Sequence, residues 1–150
     1  MKKINIFYAD DDEDDLQFFN EAIEKISIDS ENQINLHIHL NGERLIENIK
    51  SNKVTNGVVF LDINMPFKSG FEILEEIRKE PELKQLPVIM YSTSSNKDNI
   101  DKSQDLGANF YVVKPYEFND LLKIISTFIQ MNWENHQANI NNFLYKKPIN

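Results

Sequence analysis

Five short apolar runs, Ile4–Ala9, Ile34–Leu40, Val58–Leu61, Val88–Tyr91 and Phe110–Val113, alternate with amphipathic stretches of helix length, and no other feature constrains the fold as much. Each run has the length and composition of a strand. Between them lie stretches with helical spacing, such as Leu16, Phe19, Ile23 and Ile26, then Phe71, Leu74, Ile77 and Arg78, which alternate apolar and polar faces. Strands that are apolar on both faces need cover on both, and helix-length connections make neighbouring strands parallel. The pattern predicts an α/β chain with a five-stranded parallel sheet and helices on both faces. Ile34–Leu40 differs, because Asn35, His37 and His39 alternate with its apolar residues; it reads as a strand near an edge with a solvated face. The turn Asn41-Gly42 and the breakers Pro66, Gly70, Pro81, Pro87, Gly107 and Pro115 all fall between periodic segments.

A chain of 150 residues holds one core but hardly two domains. The last helix runs from about Glu117 to Met131, which bounds a domain at 1–131. Residues 132–150, with Trp133, Ile140, Phe143 and Leu144, read as a tail or an additional helix, too short for an output domain. Trp133 and Phe143 read as packing residues and His136 as surface.

With 24 acidic and 16 basic residues the net charge is −8, and the scattered Lys and Arg form no footprint for nucleic acid or an anionic membrane. The absence of cysteine removes disulfides and thiolate chemistry and fits a reducing cytoplasm. Lys2-Lys3 precede an apolar segment too short for a signal sequence. No apolar run approaches the roughly 20 residues that span a bilayer.

In open parallel sheets, ligands collect beyond the carboxyl ends of the strands. There the chain carries Asp10-Asp11-Asp12-Glu13-Asp14-Asp15 after the first strand, Asp62-Ile63-Asn64 after the third, Ser92-Thr93-Ser94 after the fourth and Lys114-Pro115 after the fifth. Crowded carboxylates call for a raised pKa or a hard divalent cation such as Mg²⁺. Such an ion beside a nucleophilic carboxylate, a hydroxyl and an ammonium makes a phosphoryl-transfer site.

These residues, with Met65-Pro66 and Gly70 after Asp62 and Gly107-Ala108 before the last strand, resemble the receiver domain of two-component response regulators, of the stand-alone type. Asp62 and Ser92 are 30 positions apart and Ser92 and Lys114 are 22 apart, the spacings such a domain has. The resemblance implies a flavodoxin-like (βα)5 fold and a single-domain response regulator in the cytoplasm, without enzymatic turnover beyond Mg²⁺-assisted self-phosphorylation and autodephosphorylation. It implies that Asp62 is the phosphoacceptor and that Asp11, Asp62 and the Asn64 carbonyl hold Mg²⁺, with Asp10 assisting directly or through water. Lys114 would pair with the acceptor carboxylate and then the phosphoryl group; Ser92 would be the switch hydroxyl, with Tyr111 swinging in behind it. Partners would be a sensor histidine kinase and a histidine phosphotransfer protein or other target, reached through the surface of the fourth helix, fifth strand and fifth helix. Monomer and homodimer both stay open.

Departures from that family's pattern are Ser92 for the commoner Thr, Thr93 where a smaller residue is usual, and Tyr91 at an aliphatic position. Thr93 is expected to crowd the phosphodonor, and Asn64 and Ser94 flank the region that tunes dephosphorylation. Glu13, Asp14 and Asp15 read as first-turn acids suited to the helix dipole. Three other readings compete. A haloacid-dehalogenase-like phosphatase would use Asp10 and Asp12, and a silent pseudo-receiver would serve as a scaffold. A calcium loop over Asp10–Glu21 has Asp15 where glycine is needed.

Overall fold

The computed structural model describes residues 3–30, 32–52, 57–135 and 142–146. Its elements alternate without interruption: β1 (Lys3–Ala9), α1 (Glu13–Asp29), β2 (Gln33–His39), α2 (Leu45–Ser51), β3 (Gly57–Leu61), α3 (Gly70–Lys79), β4 (Val88–Ser92), α4 (Lys97–Asp105), β5 (Phe110–Val113) and α5 (Phe118–Gln130). The five strands form one parallel sheet in the order β2-β1-β3-β4-β5. The chain reverses its direction of travel between β1 and β3, so the crevice beyond their carboxyl ends is where such a sheet offers a site.

The apolar residues of the central strands divide between two cores. Ile6, Tyr8, Phe60, Ile89 and Val112 face α1 and α5, while Phe7, Val59, Leu61, Val88 and Met90 face α2 and α3. Because β3 and β4 are buried along their whole length, they read as continuous apolar runs rather than alternating ones. β2 is the edge strand, as its alternation predicts, but its polar face is not solvated. His37 stacks on Phe7 with ring centroids 4.5 Å apart and lies 3.2 Å from Asn5 Oδ1, and His39 Nε2 meets Asn48 Nδ2 of α2 at 2.9 Å. On the other side Ile34 and Leu36 pack against the α1 core while Ile38, nearer the strand end, is 42% exposed.

Arg78, near the end of α3, clamps the loops at the amino end of the sheet. Its guanidinium donates to Gly107 O, Leu86 O and Asn109 Oδ1 at 2.8, 2.7 and 2.9 Å. Gly107 adopts φ 96°, a left-handed turn that a side chain would strain.

After α5 the chain forms a 3-10 turn at Trp133–Asn135, with the Trp133 ring 6.0 Å from both Phe110 and Phe128. Further on, Leu144 forms a parallel bridge with Tyr111. The Tyr111 N–H donates to Phe143 O and the Tyr145 N–H donates to Tyr111 O, both at 2.9 Å, while Phe143 is 2% exposed. Where it is described, the C-terminal segment thus runs through a 3-10 turn and then, at Leu144, lies along the β5 edge through an isolated bridge. His136 and Ile140 lie outside the described residues.

Candidate functional site

The carboxyl ends of β1, β3, β4 and β5 bring Asp10, Asp62, Ser92 and Lys114 together, and all four are buried. Backbone hydrogen bonds align the strand ends: the Asp62 N–H donates to Ala9 O at 3.0 Å, and the Lys114 N–H to Ser92 O at 2.8 Å. Asp10, Asp11 and Asp62 each offer a carboxylate oxygen within 4.8 Å of the others.

Asp10 is fully committed. Its Oδ1 accepts the Asp12 N–H at 3.0 Å, while Oδ2 accepts the Tyr8 hydroxyl at 2.5 Å and Lys114 Nζ at 2.7 Å. Asp11, by contrast, projects into solvent. Asp12 caps α1 by accepting the N–H groups of Asp14 and Asp15 at 2.9 and 3.2 Å.

Asp62 presents one oxygen to its neighbour's Ile63 N–H at 3.0 Å. Burial pushes its pKa up to about 7; the Lys114 charge pulls the other way, and Asp10 adds to the rise. An anionic pocket in this state is under electrostatic load, and a hard divalent cation among its oxygens relieves that load. The donor set fits such an ion: three carboxylates, one exposed and two held by the strands. Asn64 is exposed in the loop that follows β3.

That loop is tightly built. The Gly70 N–H donates to Ile63 O at 2.9 Å, and a Cβ at Gly70 would overlap the Asp62 carbonyl oxygen. Ser69 closes the loop with a reciprocal capping box to Glu72. Phe67 sits at φ 69° and is 83% exposed, an unusual backbone conformation for a bulky residue. Across the site Tyr116 is 98% exposed.

Lys114 forms an ion pair with Asp62 and is shared with two further carboxylates. It lies 3.6 Å from Asp62 Oδ1 but donates to Asp10 Oδ2 at 2.7 Å and to Asp15 Oδ2 at 2.8 Å. Burial alone would lower its pKa; the hydrogen bonds to Asp10 and Asp15 and the charge of Asp62 reverse that, and the net shift is upward. Asp15, read from the sequence as a first-turn acid of α1, is thus part of the site. Its signal was available: Asp15 stands four positions before the buried Phe19, on the stripe of α1 that faces the sheet. Tyr8 and Tyr91 were also missed as site residues. Tyr8 holds Asp10 from below, and the Tyr91 ring lies 5.6 Å from Lys114 Nζ.

On the β4 side, Ser92 Oγ accepts the Ser94 N–H at 3.1 Å and Thr93 is exposed. The Tyr111 side chain is already inside, with its hydroxyl donating to Ser94 O at 2.7 Å. Tyr111 therefore connects the loop after Ser92, through its side chain, to the C-terminal segment, through its backbone.

A family model described as the response regulator receiver domain matches residues 6–126. Response regulator Rcp1 of Synechocystis sp. is 40% identical over 68 residues, covering 45% of this chain and 46% of that protein. The chemotaxis protein CheY-3 of Vibrio cholerae is 40% identical over 58 residues, 39% of this chain and 45% of that one. The matches thus span less than half the length of either relative. Among solved structures, the Mn²⁺-bound form of Rcp1 aligns with a TM-score of 0.73 at 26% identity, over 85% of this chain and 96% of that one. The phosphorylated cyanobacterial phytochrome response regulator RcpA aligns with a TM-score of 0.72 at 29% identity, over 83% and 89%.

Proposed function

The chain belongs to the response regulator receiver domain family, a family of signalling domains, and from that premise we propose that it works as a single-domain response regulator that accepts a phosphoryl group on Asp62. The observation that carries the reading is the buried Asp62 carboxylate, held between Lys114 and the acidic pair at the end of β1. A carboxylate oxygen of Asp62 attacks the phosphorus of a phosphohistidine on a sensor kinase. The P–N bond breaks, the imidazole leaves and takes a proton from solvent, and an acyl phosphate remains on Asp62.

Asp11, Asp62 and the Asn64 carbonyl would hold Mg²⁺, which would neutralise charge on the phosphoryl oxygens; Asp10 orients Lys114 and would assist the ion directly or through water. Rcp1 has been crystallised with Mn²⁺, which supports a divalent ion at this kind of site. Lys114 supplies the positive charge from the protein, and the Ser92 hydroxyl meets a phosphoryl oxygen after giving up the Ser94 amide. Tyr111, bonded to Ser94, carries that change to α4 and β5. α4 is suited to move, because Ser103 is its single fully buried residue.

Exposed Phe67 and Tyr116 flank the mouth of the site and offer aromatic contacts to the phosphodonor protein. Residues 1–131 act as the receiver. No helix among the described residues is long and apolar enough to cross a membrane, and a cytoplasmic location accords with the absence of cysteine.

Intact mass after incubation with acetyl phosphate and Mg²⁺ tests the reading, run beside Asp62→Asn and a chelator control. One added phosphoryl group that requires both Asp62 and Mg²⁺ is expected. An adduct that survives in Asp62→Asn and is lost in Asp10→Asn would move the chemistry to the β1 carboxylates and overturn it. An unmodified wild type that also ignores beryllofluoride would leave a scaffold.

A further inference from the structure

Lys114 has three ammonium hydrogens, and Asp10 and Asp15 take two of them at 2.7 and 2.8 Å while Asp62 waits at 3.6 Å. The two ties are not equivalent. Asp10 is wholly buried and anchored by Tyr8 and the Asp12 amide as well, so it forms a fixed floor. The Asp15 side chain is 32% exposed and comes from the first turn of a helix rather than from a strand end. It reaches the ammonium from the solvent side and can rotate away into water.

We infer that Asp15 is a positioning residue that holds Lys114 back from the acceptor in a resting arrangement, so that Lys114 shifts from the Asp15 carboxylate toward a phosphoryl oxygen when Asp62 is phosphorylated. This deepens the proposed role of Asp62 and rests on it. The exchange is chemically matched, since one anionic oxygen replaces another on the same ammonium. Asp10 keeps its hydrogen bond throughout, which leaves Lys114 pivoting about one fixed contact. The Asp15 carboxylate thereby sets a threshold: a weak anion at the mouth of the site cannot recruit Lys114, whereas a phosphoryl group can. β5 ends at Val113, directly before Lys114 in the chain, so the pivot is coupled to the same strand that carries Tyr111.

Four proteins test this: the wild type, Asp15→Asn, Asp15→Glu and Asp14→Asn. Asp14 is exposed on the same helical turn and serves as the control for net charge. The rate of Asp62 phosphorylation by acetyl phosphate at saturating Mg²⁺ and the affinity for beryllofluoride are measured for each, with thermal melts alongside. Asp15→Asn should accelerate phosphorylation and tighten beryllofluoride binding by roughly three- to tenfold, the range expected for removing one partly exposed charge pair. Asp15→Glu should return both toward wild type, and Asp14→Asn should change neither by more than about twofold. Unchanged or slower phosphorylation in Asp15→Asn overturns the inference, as does an equal acceleration in Asp14→Asn. A wild type that takes no phosphoryl group removes the reading of Asp62 together with this one; a phosphorylated wild type with an indifferent Asp15→Asn removes this one alone.

Discussion

Lys114 Nζ and Asp62 Oδ1 stand 3.6 Å apart, an ion pair by charge but beyond good hydrogen-bond range. The ammonium is spent on Asp10 and Asp15 instead. One cation thus serves three carboxylates in a buried setting, and its removal leaves them unbalanced. Lys114→Met should destabilise the metal-free protein by about 3 kcal/mol, as expected for stripping one partner from a buried ion pair. Urea denaturation checks this, and saturating Mg²⁺ should restore part of the loss.

Asp11 differs from its two acidic neighbours in being exposed and in caging no lysine. Its substitution therefore disturbs the core least while removing a ligand. Asp11→Ala should abolish Mg²⁺ binding, read by intrinsic fluorescence or calorimetric titration, with a melting temperature in chelator close to wild type. A titration identical to wild type would place the ion elsewhere.

The fold was legible in the sequence because its strands are buried on both faces, which no other architecture of this length demands. β3 and β4 show it, with five buried residues each. The strand-end residues were legible for the same reason: topology forces Asp10, Asp62, Ser92 and Lys114 to one rim whatever their rotamers. What was not legible depended on side-chain reach. An ammonium on a long flexible stem chooses among carboxylates by geometry that spacing does not encode, so Asp15 was read as a helix-end charge. His37 and His39 were read as solvated because alternation marks two faces without saying that α2 covers the polar one. The pairing of Leu144 with Tyr111 joins residues across a helix and a turn, and the tail is too short to carry a periodic signal.

Tyr8 sits beneath the acidic rim, fully buried, with its hydroxyl on Asp10. Burial first, and then the Asp10 charge, push the Tyr8 pKa far upward, so it stays a neutral donor at any pH the fold survives. Tyr8→Phe keeps the ring contacts with Phe19 and Tyr91 but leaves Asp10 short of one donor. The expected cost is about 1–3 kcal/mol, measured by chemical denaturation, with the larger share recovered in Tyr8→Phe combined with Asp10→Asn.

His37 and His39 have pKa values lowered by burial, and His39 also by the charge of His37. A folded-state pKa below the ordinary value of about 6.5 means that the unfolded chain binds protons more readily just below that pH. Stability contributed by the neutral imidazoles is therefore present above about pH 6.5 and lost as the pH falls through it. Among the described residues, Asn5, Phe7 and Asn48, which do not titrate, hydrogen-bond or stack on the two rings, and the titrating group that acts on His39 is His37 itself. Melting curves between about pH 5 and 7.5 should show a decline on acidification that is flatter in the His37→Gln/His39→Gln double variant. Parallel curves for the two proteins would remove the histidines as its cause.

The isolated bridge at Leu144 gives β5 a backbone neighbour on a side that would otherwise be an open edge. Two backbone hydrogen bonds at 2.9 Å and the burial of Phe143 against Tyr111 and its surroundings hold it there. The Tyr145 ring adds contact with Phe128 of α5, 5.4 Å between centroids. Loss of this segment therefore acts in two ways. Phe143→Ala, which deletes a buried aromatic, should cost about 3 kcal/mol while the chain remains monomeric or dimeric as before. Truncation after Asn142 removes the backbone cover as well, and an unpaired apolar strand edge invites pairing with another chain. The truncated protein should self-associate more than Phe143→Ala at equal concentration, read by sedimentation velocity. If the two behave alike, the segment contributes side-chain packing and its two backbone bonds do not protect the edge.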